Sequence, residues 1–262
     1  MHLPDGILTS PALWAAGNVA GGAASVALVR RVNPSARGVA FSGTLAAFVL
    51  AAQALNVPLL PGASAHVIGA GLLTLVLGPA RAVLALLAVV VVQAFFFADG
   101  GLTVLGVNAL HIAVLPVLAV HASQRLFGAR APNAALVLGT FAGNVLSALS
   151  LATLLVFGAH VPPKLAFGWL VGVQALAGLV EGALTAMARG NLVRLAPGLF
   201  AARAARAQLP EPLDDLAPRS APPGSAWVWA AVALTIAWAL LPFASRAPDA
   251  LERVVESHQP SQ

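Results

Sequence analysis

The sequence has few of the charged residues with which a water-soluble domain covers its surface. Only 9% of its 262 residues are Asp, Glu, Lys or Arg, whereas soluble globular proteins carry about 25%. Hydrophobic residues make up 59% of the chain, and its mean hydropathy is +0.88. These values exclude an ordinary soluble domain, a disordered chain, a collagen and a coiled coil. They are typical of a polytopic α-helical membrane protein.

Cysteine and several catalytic motifs are also absent. A chain without cysteine cannot form disulfides, iron–sulfur clusters or thiolate metal sites. The sequence has no G-x-x-x-x-G-K-[ST] loop, so we expect that this chain does not itself hydrolyse ATP. It has no H-E-x-x-H or G-x-S-x-G motif, so a membrane protease or hydrolase has no support. We therefore do not expect an enzyme.

Eight apolar stretches predict an all-α polytopic membrane protein, with a bundle of seven membrane-spanning helices plus one additional C-terminal span. A span needs about 20 apolar residues, and the length of the chain allows eight. The third stretch is short and ends at the Gly78-Pro79 pair, and the link before it is too rich in Pro and Gly to continue a helix. The stretches run over about Pro11–Leu28, Val39–Leu55, Ser64–Leu77, Ala82–Phe97, Ala109–Phe127, Ala134–Phe157, Leu165–Ala188 and Ala226–Ala244.

The basic residues predict the orientation of this bundle. The net charge is +5, and with eight spans the Lys and Arg residues fall mainly into the loops of one side. By the positive-inside rule that side is cytoplasmic, which places both termini outside the cell (inner) membrane. The basic charge is therefore a topology signal and does not indicate nucleic-acid binding. The cytoplasmic set is Arg30, Arg31, Arg37, Arg81, Arg125, Arg130, Arg189, Arg194, Arg203, Arg206 and Arg219, and the outer set is Lys164, Arg246 and Arg253.

The chain divides into three predicted parts. Residues 1–190 form the seven-span body, and residues 191–224 form a cytoplasmic linker rich in proline and arginine. Such a composition is typical of a flexible connection. Residues 225–262 contain the last span and an outer tail.

Polar residues on the predicted outer side are the candidates for a binding site, because polar groups in an apolar bundle are unfavourable without partners. They gather in three places: the N-terminal segment 1–6, the segment 64–66, and the loop and helix start 98–111. All three lie on the same face of the membrane by the charge argument. They could therefore converge.

His2 is the most specific of these candidates. A histidine in second place brings the α-amine, its own amide nitrogen and its imidazole within reach of one metal ion. Its bulk normally leaves the initiator methionine in place, so the amine is that of Met1. Binding through the amide nitrogen requires its deprotonation, and therefore a strongly polarising ion that accepts a planar set of nitrogen ligands. This favours Ni(II) or Cu(II) over Zn(II), Mn(II) or Mg(II). His66 is the best candidate for a fourth nitrogen. The alternative is that His2 is a solvated terminal residue and His66 an interfacial hydrogen-bonding residue.

Four more residues could orient these imidazoles without binding the metal themselves. Ser64 precedes His66 by two positions, and Asp99 and Asn108 could belong to an outer loop that closes the site and orients the imidazoles. Asp99 in an Asp-Gly-Gly sequence also fits a simple turn, and Asn108 a helix cap. His111, one turn further on, could assist or could pack in the core.

Segments of this sequence resemble a known family. The start MHLPDGIL resembles the MHIPDGFL start of the substrate-binding membrane components (CbiM/NikM type) of nickel and cobalt energy-coupling-factor (ECF) transporters. Residues 64–79, 93–108 and 181–186 resemble further segments of the family in the same order. The tail APDALE at 247–252 resembles the Pro-Asp-Gly-Leu-Glu signature of a small accessory subunit (NikN-like), here fused through the linker, with Ala250 in place of the signature glycine.

The resemblance implies a function and a set of ligands. It implies that the metal is held by the amine of Met1, the amide and imidazole nitrogens of His2, and His66. It implies capture of Ni(II), with Co(II) as the alternative, since Pro-Asp-Gly near the start is more typical of nickel members. It further implies a transmembrane coupling subunit and two cytoplasmic ATPase subunits as partners, in contact with membrane lipid.

Two other classes of function stay open. A stand-alone proton-coupled carrier would use Glu181, the only carboxylate within a predicted span, as its relay, and would take up metal without ATP. Glu181 could equally couple helices or lie at the membrane interface. A metal-sensing or structural membrane protein would bind metal without any uptake, even when coupling subunits are present.

Overall fold

The computed structural model describes residues 2–32, 35–60, 63–195 and 249–258. Met1, the greater part of the predicted linker and the predicted span Ala226–Ala244 lie outside the described residues. The described elements, in chain order, are α1 (Pro11–Val29), α2 (Ala36–Gln53), β1 (Val57–Leu60), β2 (Ala63–Ala65), α3 (Ala70–Leu77), α4 (Pro79–Phe97), α5 (Leu105–Phe127), α6 (Pro132–Ala159), α7 (Pro163–Leu195) and α8 (Ala250–His258).

Long apolar helices dominate the described residues, which confirms the predicted helical membrane class. Five of them, α1 and α4 to α7, are long and apolar enough to cross a membrane. The apolar part of α2 is shorter. The exact count of seven spans plus one is not confirmed. Helix α7 also continues to Leu195, five residues past the predicted boundary of the body.

The third predicted span, Ser64–Leu77, is not one helix, and this part of the prediction is wrong. Its first residues form β2, which pairs antiparallel with β1 in a two-stranded sheet. Helix α3 begins only at Ala70 and has eight residues, about 12 Å at 1.5 Å per residue, against about 30 Å of hydrocarbon. Gly69 separates strand from helix with a left-handed φ of 84°, a conformation that favours glycine.

Three of the long helices contain a stretch of π-helix. These stretches are Gln93–Phe97 at the end of α4, Ala109–Val114 in α5 and Ala166–Val171 in α7. The first two flank the loop 98–104. Because π-helical turns often occur at functional sites, this loop is a candidate functional region.

The C-terminal helix α8 packs against the body beside β2. Asp249 forms an isolated parallel bridge with Ser64, and α8 contacts β2 and the π-helical part of α7. Asp249 Oδ1 accepts from the amide of Glu252, whose side chain accepts in return from the amide of Asp249, both at 2.8 Å. This is a capping box, which defines the start of the helix. Leu251 and Val254 are buried in the main core.

Candidate metal site

Residues 2–5 form a strap that runs from the buried His2 and Leu3 to the exposed Asp5. Asn108, at the start of α5, binds both backbone groups of Leu3: its Oδ1 accepts from the Leu3 amide at 2.8 Å, and its Nδ2 donates to the Leu3 carbonyl at 3.0 Å. The amide of Gly101 donates to the same carbonyl at 2.8 Å. Leu3 is 0% exposed and Asn108 is 1% exposed. The position of His2 is therefore fixed by the residue that follows it.

Asp5 fastens the other end of the strap to the loop after α4. Its carboxylate accepts from the amides of Leu102 and Thr103 at 3.0 and 2.8 Å, and from the Thr103 hydroxyl at 2.5 Å. The Thr103 hydroxyl, followed by these amides, lowers the pKa of Asp5 below its ordinary value, so the carboxylate is ionised at neutral pH. A Cβ at Gly101 would collide with the carboxylate and backbone of Asp5. Glycine at this position permits the close approach.

The strap brings His2 against His66, as the sequence predicted that these segments could converge. The two rings are stacked with centroids 5.4 Å apart and planes 20° apart. The His2 side chain is 1% exposed. Among the described residues, neither of its ring nitrogens has a hydrogen-bond partner. Buried polar groups are normally hydrogen-bonded, so the nitrogens of this buried imidazole are available to bind a ligand.

His66 is held in one orientation by its own backbone. Its Nδ1 lies 3.0 Å from the carbonyl oxygen of Val67, which can only accept, so Nδ1 donates and Nε2 carries the lone pair. Burial lowers the pKa of His66 to about 3. The ring is therefore neutral at physiological pH, and a neutral imidazole is the form that binds metal.

Asp99 lies at the open side of the pair. Its Oδ1 is 3.2 Å from His2 Nδ1, an electrostatic contact that is not a hydrogen bond. Partial burial raises the pKa of Asp99, but the interaction with His2 and the other positive groups around the carboxylate together outweigh it, so the pKa lies below its ordinary value. The Asp99 amide donates to the Gln93 carbonyl at 3.1 Å. The predicted loop residue thus stands beside the imidazole of His2.

Ser64 and His111 have different surroundings. Ser64 is fully buried in β2 and bridges to Asp249, which is close enough to His66 for their charges to interact. His111 is fully buried in α5. Its Nδ1 lies 2.7 Å from the Val107 carbonyl and its Nε2 3.1 Å from the Ser150 hydroxyl. Both nitrogens of His111 are therefore engaged within the helix bundle, as the core-packing alternative expects.

Sequence reasoning missed the interactions behind His66. Glu181 in α7 accepts from the amides of Ile68 and Gly69, each at 2.8 Å. Gln53 in α2 donates to the Ile68 carbonyl at 2.7 Å and accepts from Gln93 Nε2 at 2.9 Å. The available signal was that these are polar residues in apolar helices. Their partner is a backbone segment, which no side-chain pattern reveals.

Few side chains are available to hold a metal ion. Within the described part of the chain, no three His, Cys, Asp or Glu side chains form a cluster suited to a metal. An ion between His2 and His66 would need further ligands from backbone or terminal nitrogen. That is the ligand type predicted from the position of His2, although Met1 lies outside the described residues.

Comparison with known proteins gives the family. A family described as "Cobalt uptake substrate-specific transmembrane region", CbiM, matches residues 2–199. The chain belongs to this family. A protein of Haloquadratum walsbyi named as a metal transport protein is 36% identical, over 71% of this chain and 87% of its own length. A protein of Archaeoglobus fulgidus named as a fused nickel transport protein, NikMN, is 32% identical over 64% of this chain, and the match spans only 57% of that protein.

A solved structure gives the same result for the fold. The crystal structure of a truncated transition metal transporter matches with a TM-score of 0.66 and 26% identity, over 74% of this chain and 99% of that one. The chain is thus a multi-pass membrane protein of metal transport and not an enzyme. The fused accessory segment is not established, since the family match ends at residue 199.

Proposed function

We propose that this chain captures Ni(II) from the outer side of the cell membrane, as the substrate-specific component of an ECF-type transporter, with Co(II) as the alternative ion. The observation that carries the proposal is the buried pair of His2 and His66, stacked at 5.4 Å, in which the ring nitrogens of His2 have no hydrogen-bond partner among the described residues. The family and its named relatives support cobalt or nickel as the metal.

The proposed ligands are the amine of Met1, the amide and imidazole nitrogens of His2, and the imidazole of His66. The first three form fused five- and six-membered chelate rings through His2 Nδ1. Asp99 Oδ1 lies 3.2 Å from the same Nδ1, so binding of the metal through Nδ1 would require this nitrogen to move away from Asp99. A carboxylate beside a histidine ligand commonly orients its ring, and Asp99 is the candidate for that role.

The choice between the metals follows from this ligand set. Four nitrogens in one plane, one of them a deprotonated amide, suit Ni(II) in its square-planar form. Co(II) has less preference for this geometry. Uptake would then require a transmembrane coupling subunit and two cytoplasmic ATPases, with both termini of this chain outside.

The test is a Ni(II) titration of the purified full chain in detergent. One variant carries a leucine between Met1 and His2, since a bulky second residue keeps the methionine and moves the imidazole to third place. We expect it, like His66→Gln, to lose Ni(II) binding while its thermal melt stays intact. The matched control is His160→Asn, because His160 is exposed at a helix end with a φ of 56°, which asparagine tolerates. Native binding by the insertion variant would overturn the proposal.

The transport role needs a second measurement. Cells that produce the chain with a coupling subunit and the ATPases should accumulate Ni(II), and cells with the chain and inactive ATPases should not. Uptake without any ATPase would favour the stand-alone carrier. Binding without uptake in either case would favour a sensor.

A further inference from the structure

We propose that Glu181 positions His66 for metal binding, through the peptide group that joins Val67 to Ile68. The inference rests on the proposed function, because it assigns His66 as a ligand. It gives Glu181 a role different from that of a proton relay.

The peptide group between Val67 and Ile68 is held at both ends. Its carbonyl oxygen lies 3.0 Å from His66 Nδ1, which donates to it. Its N–H donates to Glu181 Oε2 at 2.8 Å. A carboxylate, a peptide group and an imidazole therefore form one continuous chain of hydrogen bonds. This arrangement parallels the carboxylate–histidine pairs that orient metal ligands, with a peptide group inserted between the two side chains.

The second oxygen of Glu181 fixes the direction of this peptide group. Glu181 Oε1 accepts from the amide of Gly69 at 2.8 Å, so the carboxylate spans two consecutive amides. On the opposite side, Gln53 Nε2 donates to the carbonyl of Ile68 at 2.7 Å. Helices α7 and α2 thus both bind the backbone of Ile68, α7 at its N–H and α2 at its carbonyl oxygen. The segment after His66 cannot rotate without breaking buried hydrogen bonds.

The chain of hydrogen bonds also affects the chemistry of His66. A carboxylate that accepts from an amide polarises the peptide group and makes its carbonyl oxygen a stronger acceptor. A stronger acceptor for Nδ1–H increases the electron density at Nε2 and its basicity towards a metal. Glu181 therefore sets both the orientation of the ring and its strength as a ligand.

The hydrogen bonds of Glu181 do not fit the role of a proton relay. The donors to Glu181 are backbone amides and the side-chain amide of Asn144, none of which releases a proton at physiological pH. Glu181 is 4% exposed, and its two oxygens are engaged at the start of α3. The geometry is that of a structural acceptor joined to the metal site.

The experiment compares Glu181→Gln with Thr185→Val in the full chain, titrated with Ni(II) chloride in detergent. Glutamine has the shape of glutamate, but its NH₂ group faces an amide that also donates. We expect binding to weaken by about 10- to 100-fold, as for other residues behind metal-bound histidines, with a changed ligand-field absorption spectrum of the bound Ni(II). Thr185 is buried one turn further along α7, and its variant should bind and absorb like the native chain.

Native affinity and spectrum in Glu181→Gln would overturn the inference, and a defect in uptake with native binding would restore the relay. If Glu181→Gln gives no cooperative melt, Gln53→Met removes the donor on the other side of Ile68 and must also weaken binding and change the spectrum. If His66→Gln itself binds normally, the proposed function fails. If only the Glu181 and Gln53 variants bind normally, this inference alone fails.

Discussion

Replacement of Asn108 by leucine should release the strap that carries His2. Leucine has a similar volume but cannot bind the backbone of Leu3. The Leu3 carbonyl keeps the amide of Gly101, whereas its amide loses its partner and stays buried. An unsatisfied buried amide costs about 1–3 kcal/mol, and the second lost bond adds about 0.5–1.5 kcal/mol.

The expected effect on binding follows from this sum. A loss of about 1.5–4.5 kcal/mol corresponds to roughly 10- to 2,000-fold in an equilibrium constant. Because the metal binds only when the strap is docked, the apparent affinity falls with the docked fraction. We expect Ni(II) binding by Asn108→Leu to weaken within this range.

The assay is a Ni(II) titration with a thermal melt of the same sample. Asn133→Leu is the matched control, because Asn133 is an exposed asparagine whose side chain accepts a hydrogen bond from Arg189 in α7, far along the chain from the strap. The control should bind like the native chain. Native affinity in Asn108→Leu would show that the strap does not depend on this asparagine, and the reasoning would be refuted.

Two further predictions concern the loop and the pH dependence. Gly101→Ala should displace Asp5 and weaken Ni(II) binding, whereas Gly22→Ala, where a Cβ meets no atom within 4 Å, should bind normally; equal binding by both variants would contradict the packing. Burial lowers the pKa of His66 from 6.5 to about 3, so between these values the unfolded chain binds more protons and stability rises with pH. The Tm should therefore hold above about pH 6.5 and fall as the pH drops towards 3. His66→Gln should reduce this slope, and an unchanged slope would show that other groups cause it.

The sequence predicted the parts of the site that depend on local chemistry. The place of His2 in the chain predicts that it chelates a metal, and hydropathy and charge predict an outer location for His66 and Asp99. The structure brings these residues together. The ligand set itself stays a prediction, since Met1 lies outside the described residues.

The parts that the sequence did not predict depend on contacts between distant segments. The residues 64–77 are apolar enough to suggest a span, because hydropathy does not distinguish a buried strand and a short helix from a membrane helix. Glu181 offered three interpretations, since its partners are the amides of Ile68 and Gly69 and an amide is present at almost every position. Only the folded chain selects among them.

The hydrogen bonds of the strap to Asn108 and of Ile68 to Glu181 also determine when the candidate metal site is complete during synthesis. Leu3 and Asn108 are separated by 105 residues, and Ile68 and Glu181 by 113. Residues 2–5 therefore cannot dock before α5 has been synthesised, and the segment after His66 cannot be held before α7 has been. Contacts between such distant segments are slow to form. On the proposed function, a nascent chain without α7 would offer the metal only unorganised imidazoles, and full affinity would arise when the body is complete.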